Sequence, residues 1–133
     1  MKITADTNVL VRSVVRDDER QAQTAAKVLK RASLIAVTLP TLCEFVWVLR
    51  KVYDLVPKDI AVAMRALLDV RNVVANRAAA EAGLAILEAG GDFADGVIAH
   101  EGGRLGGETF VSFDKQAVAL LSKQDQPAKL LAE

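Results

Sequence analysis

The chain has 133 residues, and 17 Lys and Arg balance 17 Asp and Glu, for a formal net charge of +0. At ~150 residues per domain this is one domain, residues 1–133; with 52% hydrophobic and 26% charged residues it is globular rather than disordered. One cysteine excludes an internal disulfide and a cysteine-rich zinc site, and the charge balance excludes bulk attraction as the means of holding nucleic acid.

Lys2 to Ala5 reads as a buried strand that stops at Asp6-Thr7-Asn8, polar residues suited to cap the helix continuing through Val9 to Val15. Asp17-Asp18-Glu19 opens a second helix, since acidic residues suit the positive end of the helix dipole. Its apolar stripe is Ala22, Ala25, Ala26 and Leu29. Leu34 to Leu39 is β-rich and reads as a second strand. Pro40-Thr41 starts a helix bearing Glu44, Phe45, Trp47, Val48 and Lys51, and Pro57 starts another with Ile60, Ala63, Met64, Leu67 and Leu68 on one face.

Val70 to Ala75 is a candidate third strand. Ala78 to Ala89 is helical and ends at Gly90-Gly91 in the manner of a C-cap. Asp92 to Glu101 is the next helix, closed by Gly102-Gly103. Thr109 to Ser112 is a fourth strand, Lys115 to about Ser122 a helix, and Ala128 to Leu131 a short edge strand or tail. The alternation predicts an α/β fold: a central parallel sheet of four or five strands flanked by helices on both faces. No apolar run reaches the ~18 residues of a membrane span. The N-terminus lacks the apolar core of a secretory signal, so the expected location is cytoplasmic.

In such sheets function gathers beyond the carboxyl ends of the strands. Asp6 follows the first strand, Glu44 lies one turn into the helix after the second, and Asp114 comes two residues after the fourth. Asp92 and Asp95, at i and i+3, open a helix together. Any one of these acids alone reads first as a helix cap; the set carries the signal. Converging carboxylates repel and raise one another's pKa, a cost that a hard divalent cation cancels. Oxygen donors with no histidine or cysteine partner favour Mg²⁺ or Mn²⁺ over zinc.

Ala5-Asp6-Thr7-Asn8-Val9-Leu10, Glu44 in its helix, Asp92-Phe93-Ala94-Asp95-Gly96-Val97-Ile98-Ala99 and Ser112-Phe113-Asp114-Lys115 resemble, in order, the acidic motifs of PIN-domain ribonucleases. In particular they resemble the toxins of VapBC-type toxin–antitoxin pairs. The resemblance implies a single PIN-like domain in which Asp6, Glu44, Asp95 and Asp114 form a catalytic and metal-binding pocket for Mg²⁺- or Mn²⁺-dependent hydrolysis of RNA. Asp92 is then an accessory ligand or simply a cap, and Thr7, Asn8 and Ser112 are donors that orient the carboxylates. The expected partners are an RNA substrate, a small cognate antitoxin and a second copy of the chain, with no membrane. Ser112 stands where threonine is frequent and keeps the hydroxyl, while Gly96 stands where alanine is common and weakens its helix by ~1 kcal/mol.

Other residues read as ordinary structure. His100 is the only histidine, so Ser-His-Asp chemistry lacks parts, and packing or surface is its expected role. Cys43 reads as a small buried residue. Phe45, Trp47 and Val48 read as core or subunit contact rather than a base-stacking platform. Among the basic residues, Arg12 and Lys115 are the candidates for RNA backbone contact; Arg16, Arg50, Lys51 and Arg104 read as solvated surface.

Two rivals fit less well. An aspartyl-phosphatase-type hydrolase wants a second Asp where Asn8 stands, and a phosphate-receiver domain wants an acidic pair where Asp6-Thr7 stands. A non-catalytic PIN-like RNA- or protein-interaction module is the alternative from another class.

Overall fold

The computed structural model describes residues 1–132. They divide into two compact units, Met1–Arg77 and the chain from Ala78 on.

The first unit runs β1 (Lys2–Thr4), α1 (Thr7–Val14), α2 (Glu19–Arg31), β2 (Leu34–Ala36), α3 (Leu39–Lys51), α4 (Pro57–Leu68) and β3 (Val73–Val74). The strands form a parallel sheet in the order β1-β2-β3, with Lys2 opposite Leu34 and Ile35 opposite Val73. Parallel neighbours cannot be joined by a tight turn, so helices carry each connection. The helix starts are written in the sequence. Asp18 accepts from Gln21 N at 3.1 Å and Thr38 from Thr41 N at 3.4 Å, while prolines occupy the first turns of α3 and α4. Leu10, Ile35, Leu42, Phe45, Leu49, Ile60 and Met64 are fully buried, each stabilising the fold by ~1.5–3 kcal/mol before entropy is counted.

A polar network ties α1, α2 and the end of α3. Arg12 Nε donates to Gln21 Oε1 at 2.7 Å, and Arg12 Nη1 donates to Asp17 Oδ1 at 2.8 Å and to the Tyr53 hydroxyl at 2.9 Å. Tyr53 in turn donates to Asp17 Oδ2 at 3.0 Å.

The second unit holds all but the first residue of α5 (Arg77–Glu88), then α6 (Phe93–Arg104), β4 (Phe110–Ser112), α7 (Lys115–Lys123) and β5 (Ala128–Leu130). β4 and β5 pair in parallel, Phe110 opposite Ala128. Ile86, Ala99 and Leu121 are buried together, with Phe110, Leu120 and Ala128 packed against them. The turn from α5 to α6 is the expected glycine cap: Gly90 adopts φ +99°, and Gly91 N donates to Ile86 O at 2.9 Å. The helices α5 and α6 meet at two glycines. A Cβ on Gly83 would stand 2.7 Å from the Phe93 ring, and one on Gly96 would stand 2.8 Å from Gly83 Cα and collide with the carbonyl of Ala82. Gly96 is therefore a packing requirement rather than a weak point of its helix, and alanine there would push two backbones apart.

Three expectations are corrected. The α/β class with parallel pairing holds, but the five strands divide into a sheet of three and a separate pair. With strands of only 2–3 residues, few hydrogen bonds are at stake in extending either sheet. The strand expected over Val70 to Ala75 shrinks to Val73–Val74. Val73 N donates to Val70 O at 3.0 Å, closing a turn, and Asn72 Nδ2 is spent on Leu29 O (3.3 Å) and Ala32 O (2.7 Å), the open carbonyls at the end of α2. Finally, α6 does not stop at Gly102-Gly103 but runs through them to Arg104; the left-handed residue is Gly106, at φ +106°.

Candidate functional site

Three of the five candidate acids begin helices. Asp6 caps α1, its Oδ1 accepting from Thr7 N at 2.8 Å. Asp92 caps α6, accepting from Ala94 N at 3.0 Å. Asp114 caps α7, its Oδ1 accepting from Gln116 N at 2.9 Å and Ala117 N at 3.1 Å. Capping and chemistry are compatible here, because each cap engages one carboxylate oxygen and all three side chains are exposed. Asp95 and Glu44 cap nothing: Asp95 lies half-buried in the first turn of α6, and Glu44 is exposed on α3.

In the second unit Asp92 and Asp114 lie near enough to Asp95 for their charges to act on its carboxyl. Burial pushes the Asp95 carboxyl above the ordinary aspartate range, and the charges of Asp92 and then Asp114 push it further. Only the Asp92–Asp95 spacing is local; Asp114 comes near through the packing of α7 on α5 and α6, where Leu121, Ile86 and Ala99 are buried together. Asp92 and Asp95 are one turn apart on α6, while Asp114 is held by its own backbone: Asp114 N donates to Ser112 Oγ at 2.9 Å. Ser112 thus orients the backbone that carries the carboxylate.

In the first unit, Asp6 follows β1 and Glu44 lies on α3. Thr7 is buried, and its hydroxyl finds no hydrogen-bond partner among the described residues. Asn8 is exposed and lines the groove between α1 and α2. Arg12 has its guanidinium engaged by Asp17, Gln21 and Tyr53. Lys115 is exposed at the start of α7, beside Asp114.

The donor set suits a hard divalent cation: carboxylate oxygens, with an unpartnered buried hydroxyl beside one of them. Among the described residues no group of three or more acidic, imidazole or thiol side chains is placed to hold a metal ion. Mg²⁺ does not need one, since it keeps several waters and takes one or two carboxylates plus substrate phosphate.

Two features escaped the sequence reading. Trp47 is 58% exposed, three residues past Glu44, and so is not core; Phe113, beside Asp114, is 60% exposed. The buried positions of α3, Leu42, Phe45, Val46 and Leu49, recur at helical spacing and leave Trp47 off that face, so periodicity could have signalled Trp47; Phe113 carries no periodic signal. The other feature is charge. The neutral total hides thirteen Lys and Arg against eight Asp and Glu in Met1–Arg77, and four against nine from Ala78 on.

With these elements in place, the chain can be assigned a class. It belongs to the PIN domain family, whose profile it matches over residues 3–121, through both units. PIN domains are a superfamily of nucleases that act on RNA in general and typically use divalent metal ions. Among curated proteins, none matches the chain. No helix among the described residues is long and apolar enough to cross a membrane.

Proposed function

We propose that this protein is a divalent-metal-dependent endoribonuclease, a single PIN-like domain working as the toxin of a type II toxin–antitoxin pair. The observation that carries the nuclease reading is the Asp92–Asp95–Asp114 group, where burial and like charge raise the Asp95 carboxyl in a chain of the PIN family. A carboxylate made costly in this way gains most from a cation. Asp6, Glu44, Asp95 and Asp114 are the residues assigned to hold Mg²⁺ or Mn²⁺, with Asp92 accessory. When bound, such an ion lowers the pKa of water and offsets charge on the scissile phosphate.

The chain's own groups do the rest. Asp6, Asp92 and Asp114 are fixed by their caps, so each can offer its second oxygen without reorganisation. Ser112 steadies the turn that presents Asp114, and Thr7 and Asn8 follow Asp6 as the neighbouring donors. Asp114 positions the attacking water, which adds to phosphorus opposite the departing oxygen. Lys115, beside it, contacts the RNA backbone, and Arg12 does so only at the expense of its network. A small antitoxin, a homodimer and a cytoplasmic setting complete the proposal.

The test is cleavage of total RNA by the purified protein, with Mg²⁺ or Mn²⁺ and with EDTA. Cleavage that needs the metal and is lost in Asp6→Asn and Asp95→Asn supports the reading; cleavage unaffected by EDTA or by both substitutions ends it. Co-purification with the product of the neighbouring gene tests the toxin role. One rival stands on an observation: a non-catalytic module would use Asp6, Asp92 and Asp114 as caps alone. Calorimetry that registers no heat with Mn²⁺ would favour it.

A further inference from the structure

The excess of cations in Met1–Arg77 is concentrated. From Arg20 through Cys43 there is no acidic residue, while Arg20, Lys27, Lys30 and Arg31 lie on α2. The end of α2 and the turn before β3 form an open groove of about 620 Å³, lined by Leu29, Ala32 and Val70 and by the polar Lys30, Ser33, Arg71 and Asn72. No carboxylate lines it. Lys30, Ser33 and Arg71 are exposed, and neither cation forms an ion pair among the described residues.

Cations in the last turn of a helix are ordinarily explained by the helix dipole. That explanation is incomplete here. Arg71 belongs to no helix, and the carbonyls of Leu29 and Ala32 are already satisfied by Asn72. Two free cationic heads and a hydroxyl therefore face one concavity without an internal partner.

The groove lies at the amino ends of the strands. Ser33 precedes β2 and its N–H donates to Met1 O at 2.9 Å, and Asn72 precedes β3 and offers its carbonyl to Ile35 N at 2.7 Å. Asp6 follows β1 at the opposite, carboxyl end. Three strand residues separate the two ends, roughly 10 Å by strand rise.

We propose that this groove, centred on Lys30 and Arg71, is a contact for the RNA phosphate backbone at the strand end opposite Asp6, engaging the flank of a long substrate. The proposal rests on the ribonuclease reading, and it explains how a neutral chain holds a polyanion: the attraction is local, on one unit. Arginine offers a fork to phosphate oxygens and lysine a point charge. The site gives affinity and register and carries no sequence information of its own.

The experiment compares wild type with Lys30→Glu/Arg71→Glu and, should that fold poorly, Lys30→Gln/Arg71→Gln. Circular dichroism and melting monitor the fold. Fluorescence anisotropy reads binding of labelled RNAs of about 5 and about 40 nucleotides in EDTA across a salt series, and cleavage of the same RNAs is followed with Mn²⁺. Removing two phosphate contacts on a single strand lowers the slope of log affinity against log salt by ~1.4. The expected result is that change, at least a five-fold loss of long-RNA affinity at low salt, and a raised KM for long RNA, with the short RNA unaffected. A variant that folds and matches wild type in slope, affinity and KM overturns the groove while leaving the nuclease reading intact. A wild-type protein that neither binds nor cleaves either RNA removes both.

Discussion

The two units solve the same packing problem with different residues. Met1–Arg77 contains no glycine; its helices are begun by Asp6, Asp18, Thr38, Pro40 and Pro57 and joined by the Arg12–Asp17–Tyr53 network. All eight glycines lie from Ala78 on, where α5 and α6 approach through Gly83 and Gly96. The first unit carries the cations and the second the crowded carboxylates. Close backbone packing is what the second unit needs, because α6 must hold Asp92 and Asp95 on one turn while remaining pinned to α5. The comparison teaches that a missing side chain can be as specific as a present one.

The largest effect expected is on chemistry, and it draws on both units. Asp6→Asn and Asp95→Asn should each lower RNA cleavage by at least the 10–100-fold that loss of a supporting partner brings at a metal site, with melting temperature little changed or raised. Loss confined to one of them would assign the chemistry to one unit. Next comes the glycine contact. Gly96→Ala should destabilise by about 1–3 kcal/mol, as overpacking does, a fall of roughly 4 °C in melting temperature for each kcal/mol.

The matching experiment on the first unit is Tyr53→Phe, which removes one donor to Asp17 and one acceptor for Arg12. Its expected cost is about 0.5–1.5 kcal/mol by denaturant unfolding. Gly102→Ala reverses the sign: this glycine is helical with open space around it, so alanine should stabilise by up to ~1 kcal/mol. Opposite signs at Gly96 and Gly102, on one helix, would show that close approach and not glycine content governs the second unit.

The smallest effect is the pH dependence of Asp95. Its carboxyl is raised in the folded state, so its stabilising contribution is complete below the unfolded value of ~3.9 and is lost as pH rises through the folded value. In EDTA, wild-type stability should therefore fall relative to Asp95→Asn as pH climbs from about 4 towards neutrality. An equal pH dependence in both proteins would disprove the crowding.

Most helix starts were legible because a cap is a local event: Asp6, Asp18, Asp92 and Asp114 each bond a backbone N–H within three residues. The acid motifs were legible for the same reason, since they follow strands and begin helices. What misled was β-propensity without context. Val70 to Ala75 reads as a strand, yet Asn72 is drawn to the carbonyls of Leu29 and Ala32, more than forty positions away in sequence for one of them. Gly102-Gly103 reads as a stop, yet nothing crowds the helix there and it continues.

The amino-acid sequence alone determined the α/β class, the helix starts and which carboxylates are candidates, because capping and periodicity act over a few residues. Only the tertiary structure decided that the charges of Asp92 and Asp114 bear on Asp95, that Gly96 admits no side chain, and that Lys30 and Arg71 share a groove free of acids. Those depend on which backbones pass within a few ångströms, a distance that sequence separation does not report.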